Sequence, residues 1–167
     1  MTLTAHAIVG ASVASLLPSH PVLGFAAGFA SHFLLDAIPH WDYKLDSMKE
    51  DKNNPINNEM IINRDFVKDI LKVGFDGFVG FLLAYLIFVF YMKYSIFTIL
   101  YGVVGAVIPD VLQFVQMKWR HEPLTGLRRF HLWIQKKKLN DRPALGIFTQ
   151  IVIILFFVAI SKSGKFF

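Results

Sequence analysis

The chain of 167 residues contains no cysteine, so neither a disulfide framework nor a metal site built from thiolates is available to it. It also lacks a Gly-rich phosphate loop, a His-Glu-x-x-His zinc motif and a Gly-x-Ser-x-Gly nucleophile motif. Charged residues make up only 17% of the sequence, whereas 54% of it is hydrophobic. Soluble domains contain about 45–50% apolar residues. The surplus therefore indicates a protein that contacts a membrane.

Long apolar segments predict an all-α integral membrane bundle in one domain, residues 1–167. No basic segment precedes the first apolar run, so we expect no cleavable signal peptide. A full span needs roughly 17–25 apolar residues, and the first two segments are marginal by that measure, so we expect them to be short or tilted. The sequence predicts five helices: 3–17, 21–38, 65–92, 95–117 and 144–160.

Basic residues are distributed unevenly between the two ends of this predicted bundle. Fourteen of the 17 Lys and Arg lie in residues 1–2, 39–77 and 118–142, which share one side. The positive-inside rule places that side, with the N-terminus and the long loops 39–64 and 118–142, in the cytoplasm. The expected location is a prokaryotic cytoplasmic membrane. Because the basic residues alternate with apolar segments, they favour membrane lipid or a phosphate-bearing substrate as the partner, and no nucleic acid is expected.

The segment from Ser31 to Asp42 combines two histidines and two carboxylates at the end of an apolar helix. His32 and Asp36 are four residues apart and share one helix face, and His40 follows the helix-breaking Pro39. Imidazole and carboxylate are ligands that divalent metals favour, which indicates a metal site, with zinc as the preferred ion. The alternative for Asp36 and His40 is a helix cap, and Asp42 also fits an interfacial anchor.

In the predicted topology, polar residues from several helices reach the same membrane face. Such convergence favours a common site, although His6 also fits a helix contact and Asp110 also fits a polar plug at Pro109. For Asp65 and Asp69 we favour a solvated, partly ion-paired helix end. Three carboxylates are candidates for catalysis as well as for metal binding: Asp36, Asp76 and Asp110. The full set of candidate metal ligands is His6, His32, Asp36, His40, Asp76 and Asp110.

The loop 118–142 carries eight basic and two acidic residues. Helical spacing places Phe130, Trp133 and Ile134 on one face, which predicts a basic amphipathic helix at the membrane surface. Headgroup anchoring is the simpler interpretation of its charges. The alternative is that three of its side chains bind a substrate phosphate: Arg128, Arg129 and His131.

Residues 28–40 contain a Gly-x-x-Ser-His-x-x-x-Asp element that resembles a motif of membrane-bound metal-dependent hydrolases. Pro109-Asp110 is similar to a second element of that family, and Thr4-Ala5-His6 to an N-terminal one. A more distant similarity links the segment to zinc-dependent phospholipases C and single-strand-specific zinc nucleases. The similarity to the phospholipases and nucleases implies that His32, Asp36 and His40 bind zinc. The N-terminal element of the hydrolase family implies the same role for His6. The family's His-Arg-Gly-x-x-His-Ser element has no clear counterpart here.

Together these observations predict metal-dependent hydrolysis of a phosphoester in a lipid or lipid-like substrate at the cytoplasmic face. The competing hypothesis is a non-enzymatic membrane protein in which the histidines and carboxylates form a structural or ion-binding tie between helices. A third is a scaffold that recruits partners through its basic loop.

Overall fold

The protein is described by a computed structural model that covers residues 1–135 and 138–164. This part of the chain confirms the all-α prediction, with six helices and one two-stranded hairpin. The third helix continues without a break into a π-helix, Tyr85–Tyr91. The helices are α1 Leu3–Ser15, α2 Pro21–Asp36, α3 Arg64–Ala84, α4 Ile96–Lys118, α5 Leu124–Ile134 and α6 Pro143–Gly164.

Three helices are long and apolar enough to cross a membrane: α3 with its π-helical extension, α4 and α6. In α3 and in α6 only 17% of the most apolar window is buried inside the protein, so most of that apolar surface faces outward. With 13 and 16 residues, α1 and α2 are about 20 Å and 24 Å long. A hydrocarbon core is about 30 Å thick, so neither short helix spans it when straight.

The first helix lies at the centre of the bundle and contacts α2, α3, α4 and α6. Eleven of its residues are buried, among them Ala7 and Ala11, which are fully enclosed. Small side chains on this helix allow its neighbours to approach closely. The core on one side of α1 contains Phe88, Ile99 and Val103.

Two glycines allow α1, α2 and α4 to pack backbone against backbone. A Cβ atom at Gly28 would overlap the carbonyl group of Gly102, and a Cβ atom at Gly102 would overlap the carbonyl group of Gly10. These contacts bring the ends of α1 and α2 that carry histidines against the second half of α4. The close packing therefore positions the polar residues described below.

The two long loops contain structure that the sequence did not predict in detail. Residues 39–64 include an antiparallel hairpin, β1 Met48–Lys49 and β2 Glu59–Met60. Both the backbone N–H and the hydroxyl of Ser47 donate to Asp69 Oδ2, at 2.8 and 2.7 Å. The predicted ion pairs are present, between Asp65 and Lys68 and between Asp69 and Lys72, but Asp69 is only 2% exposed, so the prediction that it is solvated was wrong. A buried carboxylate instead ties the hairpin loop to α3.

The loop 118–142 contains α5, close to the predicted amphipathic segment. Phe130 and Trp133 are exposed on this helix, whereas Arg128 and His131 lie on its buried side. Lys136 and Lys137, which also belong to the basic loop 118–142, lie outside the described residues. Contact of the apolar face with a membrane surface stays a prediction.

Candidate metal centre

Asp36, the last residue of α2, lies at the centre of a buried cluster of imidazoles and is 1% exposed. Its Oδ1 lies 3.2 Å from His6 Nε2 and 3.8 Å from His40 Nε2. Its Oδ2 lies 2.7 Å from His131 Nε2 and 3.5 Å from His32 Nε2. Four elements of the fold thus place four imidazoles around one carboxylate.

Backbone carbonyls fix the tautomers of two of these histidines. His32 Nδ1 donates to the carbonyl of Ala106 at 2.7 Å, and His40 Nδ1 donates to the carbonyl of Ile38 at 2.7 Å. In a neutral imidazole the other nitrogen then carries a lone pair. Burial lowers the pKa of His40, which favours its neutral form. Both Nε2 lone pairs therefore point towards the carboxylate of Asp36, an arrangement that a cation between them would stabilise.

The other two imidazoles have nitrogens without hydrogen-bond partners. Nδ1 of His6 and Nδ1 of His131 are buried without a hydrogen-bond partner, and Nε2 of His6 has only its 3.2 Å contact with Asp36 Oδ1. The ring of His6 stacks on that of His32 with centroids 4.0 Å apart. A buried polar atom without a partner costs about 1–3 kcal/mol, so a ligand that supplied partners to these atoms would stabilise the site.

The spacing of the cluster suits a tetrahedral metal ion. Ligand atoms that each lie ~2.1 Å from a zinc ion are about 3.4 Å apart. His32 Nε2 lies 3.4 Å from His131 Nε2, 3.5 Å from Asp36 Oδ2 and 3.7 Å from Asp110 Oδ1. Two overlapping groups among the described residues could hold an ion: His6, His32 and Asp110, and His32, Asp36 and His131.

Asp110, which follows Pro109 within α4, connects the cluster to a cavity. Its side chain is 33% exposed, in contrast to the buried imidazoles. Gln113 Nε2 donates to Asp110 Oδ1 at 2.9 Å and lies 3.4 Å from His131 Nε2. Both Asp110 and Gln113 line a cavity of about 630 Å³ that extends along α4. A ligand in the cavity would reach the cluster through Asp110.

Asp76 belongs to neither of the two groups, although the sequence analysis included it among the ligands. Its Oδ2 accepts the backbone N–H of Leu3 at 2.6 Å, and its Oδ1 accepts the hydroxyl of Thr4 at 2.6 Å. Tyr43 donates its hydroxyl to Oδ2 at 3.3 Å. The half-buried carboxylate of Asp76 is therefore satisfied by hydrogen-bond donors, two from the start of α1 and one from Tyr43.

The three candidate substrate-binding residues of α5 have different surroundings. His131 lies in the cluster, with its ring nitrogen against Asp36. Arg128 is buried and lines the cavity, whereas Arg129 is exposed and does not line it. Adjacent residues on a helix point in different directions, about 100° apart, which explains the contrast.

From the sequence, His131 was a candidate for phosphate binding, and Gln113 was not among the candidate residues. His131 follows two arginines in a basic segment, and that context concealed its position beside Asp36. A helix of residues 124–134 buries positions 128 and 131, one turn apart, so the i, i+3 spacing was the available signal. Gln113 follows Asp110 at the same spacing.

Three further polar contacts of the cluster involve residues outside the metal-capable groups. Gln135 Nε2 donates to Asp36 Oδ2 at 3.3 Å. Asp36 Oδ1 accepts a hydrogen bond from the amino group of Met1 at 2.9 Å. Asp42, a weaker candidate ligand, pairs with Lys138 Nζ at 2.7 Å. Asp42 is thus accounted for by its own ion pair.

No protein-family model matches the chain, and comparisons with curated proteins and with solved structures likewise gave no significant match.

Proposed function

We propose that this protein is a membrane-embedded, metal-dependent hydrolase that acts on a phosphoester of a lipid or lipid-like substrate. The observation that carries the proposal is the set of Nε2 atoms directed at Asp36, at separations close to those of ligands around one zinc ion. The motif resemblance of residues 28–40 points to the same class of protein.

The residues that would hold the ion are His32, Asp36, His131, His6 and Asp110, with His40 beside them. A bound zinc ion would lower the pKa of a water molecule towards ~7 and neutralise charge on a phosphoryl oxygen. The hydrogen bond from His32 Nδ1 to Ala106 keeps its Nε2 unprotonated and fixes the plane of its ring.

Asp110 is the cluster carboxylate that the cavity reaches, which suits it to accept a proton from the attacking water. Gln113 donates to its Oδ1 and so holds the carboxylate in place. Asp36 is enclosed by imidazoles, which suits it to metal ligation alone. Asp76 caps α1, and its part would be to position that helix together with His6.

The proposed site faces the cytoplasm of a prokaryotic cell, because the basic loops lie at the same end of the bundle. A substrate would enter from the lipid, since the cavity has an apolar wall that includes Val107, Phe114 and Met117. An amphiphile with its phosphate at the cluster and its chain along this wall would match both surfaces.

One observation favours the alternative, a structural tie between helices: the amino group of Met1 already supplies a positive charge to Asp36 Oδ1. A tie of this kind would pair the polar atoms with one another. It leaves Nε2 of His40 and the Nδ1 atoms of His6 and His131 without partners, however. We therefore prefer the metal centre.

The test measures metal content and hydrolysis in the full-length protein, purified in detergent. We expect about one or two zinc ions per chain by elemental analysis, and release of phosphate from phospholipid micelles. EDTA should abolish the release, and added zinc should restore it.

Asp36→Asn should lose both the metal and the activity, because the carboxylate is central to the cluster. The matched control is Asp46→Asn, which removes an exposed carboxylate of the hairpin loop and should change neither. If the wild-type protein stays metal-free in the presence of zinc, or if Asp36→Asn retains the same metal content, the proposal is overturned.

A further inference from the structure

Arg128 is a buried cation, 2% exposed, on the side of α5 that faces the bundle. Its Nη2 donates to the carbonyl of Pro55 at 3.1 Å, and its Nη1 donates to Gln113 Oε1 at a long 3.4 Å. Its Nε has no hydrogen-bond partner. The guanidinium therefore uses only part of its capacity to donate hydrogen bonds.

The positive charge of Arg128 has no counter-ion in the described part of the chain. No Asp or Glu among residues 1–135 and 138–164 lies within salt-bridge distance of the guanidinium, and its polar contacts are to neutral oxygens. Burial, together with the nearby Arg120, lowers its pKa, which reflects the cost of this charge. Buried charges are normally paired, so a bound anion would stabilise the buried charge of Arg128.

The position of Arg128 indicates which anion would reach it. Arg128 lines the same cavity as Asp110, and the amide of Gln113 bridges the two side chains. Only the side-chain amide of Gln113 would thus lie between an anionic group bound by Arg128 and Asp110 of the proposed metal centre. Lys138 also lines the cavity, but its charge is neutralised by Asp42.

The rest of the cavity wall determines what the anion is attached to. Apolar side chains from α3, α4, α5 and the hairpin form much of the lining, including Ile70, Val107, Phe114, Met60 and Leu132. Such a wall favours an acyl or isoprenyl chain over a sugar or a peptide. The cavity thus combines a buried guanidinium without a counter-ion with an apolar surface. Its charged lining also includes Lys52, which is exposed, and the carboxylates of Asp42, Glu50, Asp51 and Asp110.

We infer that Arg128 binds a terminal phosphate carried on an apolar chain, so that the substrate of the proposed centre is a lipid phosphomonoester or diphosphate. That this lipid is a substrate depends on the proposed function. The binding site itself is inferred independently, from the charge of Arg128 and the apolar wall of the cavity. A terminal phosphate offers several anionic oxygens to a guanidinium, whereas a diester offers fewer and a choline headgroup adds a cation.

The experiment measures binding in EDTA, so that it does not depend on the metal. Full-length protein in detergent micelles is titrated with dilauroyl phosphatidic acid and, separately, with dilauroyl phosphatidylcholine, and thermophoresis reports the dissociation constants. We expect the phosphomonoester to bind about tenfold more tightly, the value of one good charge-assisted contact. Failure of the hydrolase proposal would instead appear as absence of zinc.

Arg128→Gln should remove the preference, and Arg128→Lys should retain part of it because lysine keeps the charge without the planar fork. Arg142→Gln, which neutralises a guanidinium that is 72% exposed, is the matched control and should keep the wild-type ratio. The melting temperature of each variant checks that it folds. Loss of stability in Arg128→Gln with an unchanged ratio would show a purely structural arginine and overturn the inference.

Two outcomes on the wild-type protein decide the inference even if Arg128→Gln does not fold. Equal affinity for the two lipids would overturn it. Inorganic phosphate is the third ligand and distinguishes a lipid from a free anion. If it binds as tightly as phosphatidic acid, the apolar wall contributes nothing and the lipid assignment is overturned; weaker binding that competes with phosphatidic acid supports the inference.

Discussion

Two carboxylates near the start of α1, Asp36 and Asp76, have opposite surroundings. The groups around Asp76 are an amide N–H and two hydroxyls, each with a proton to donate. Asp36 is surrounded by imidazoles, and two of these, His32 and His40, already donate their Nδ1 protons to backbone carbonyls. Asp76 is surrounded by donors alone, whereas Asp36 accepts from the amino group of Met1 and also faces the unprotonated Nε2 atoms of His32 and His40.

The difference separates a structural carboxylate from a candidate ligand. Both residues are aspartates close to α1, although Asp36 is buried and Asp76 is half-buried. What differs is whether the neighbouring nitrogen and oxygen atoms carry hydrogens, and carbonyl contacts on the far side of the imidazole rings decide that. The tests below ask whether the two carboxylates behave differently when their partners are removed.

Among variants that leave Asp36 in place, the largest effect is expected for His32→Ala, because His32 belongs to both metal-capable groups. We expect zinc affinity to fall about 100-fold or more, as a ligand is lost from a site with few alternatives. Competition with a chromogenic chelator measures the affinity. His20→Ala removes an exposed histidine and should leave the affinity unchanged. Equal affinities for the two variants would contradict the assignment of the cluster.

Asp76→Asn should act on stability instead of on metal binding. The substitution weakens the hydrogen bonds to Leu3 N–H and Thr4 Oγ1, both 2.6 Å long and both made to a charged acceptor. We expect a loss of about 2 kcal/mol in the free energy of unfolding, measured by denaturant titration in detergent. Zinc stoichiometry should stay at the wild-type value. A variant that lost zinc but kept its stability would make Asp76 a ligand after all.

The helical architecture could be predicted from the sequence because its signal is local. Apolar runs and their breakers gave each helix to within a few residues: the predicted 95–117 is Ile96–Lys118, and 21–38 is Pro21–Asp36. The π-helical end of α3 and the hairpin of residues 48–60 were not predicted. Both depend on tertiary contacts, such as the one between Ser47 and Asp69, and the periodicity of apolar residues carries no information about such contacts.

The candidate site was predictable in part, for a related reason. His32 and Asp36 share a helix face, and a four-residue spacing is enough to show it. The association of His131 with Asp36 joins residues 95 positions apart, and only the packing of α5 on the bundle reveals it. Asp76 was misleading because a sequence shows that a carboxylate is present but not which protons surround it.

Asp110→Asn is expected to have an intermediate effect on the metal centre. Asp110 contributes to one of the two groups and is partly exposed, so water can replace part of its role. We expect zinc affinity to fall about tenfold, measured as for His32→Ala. Asp141→Asn removes a carboxylate that is 75% exposed and serves as the control. Unchanged affinity in Asp110→Asn would restrict the centre to His32, Asp36 and His131.

The smallest effect is expected for Tyr43→Phe, which removes one of the donors to Asp76. Burial raises the pKa of Tyr43 well above its ordinary value, and Asp76 adds to the shift, so the phenol is a proton donor at physiological pH. Its bond to Asp76 is long, at 3.3 Å, and two stronger donors remain. We expect the free energy of unfolding to fall by about 0.5–1 kcal/mol, with no change in zinc affinity. Because Tyr43 also lines the cavity beside Asp110, a loss of zinc in this variant would show that the environments of the two carboxylates are coupled, and the distinction between them would fail.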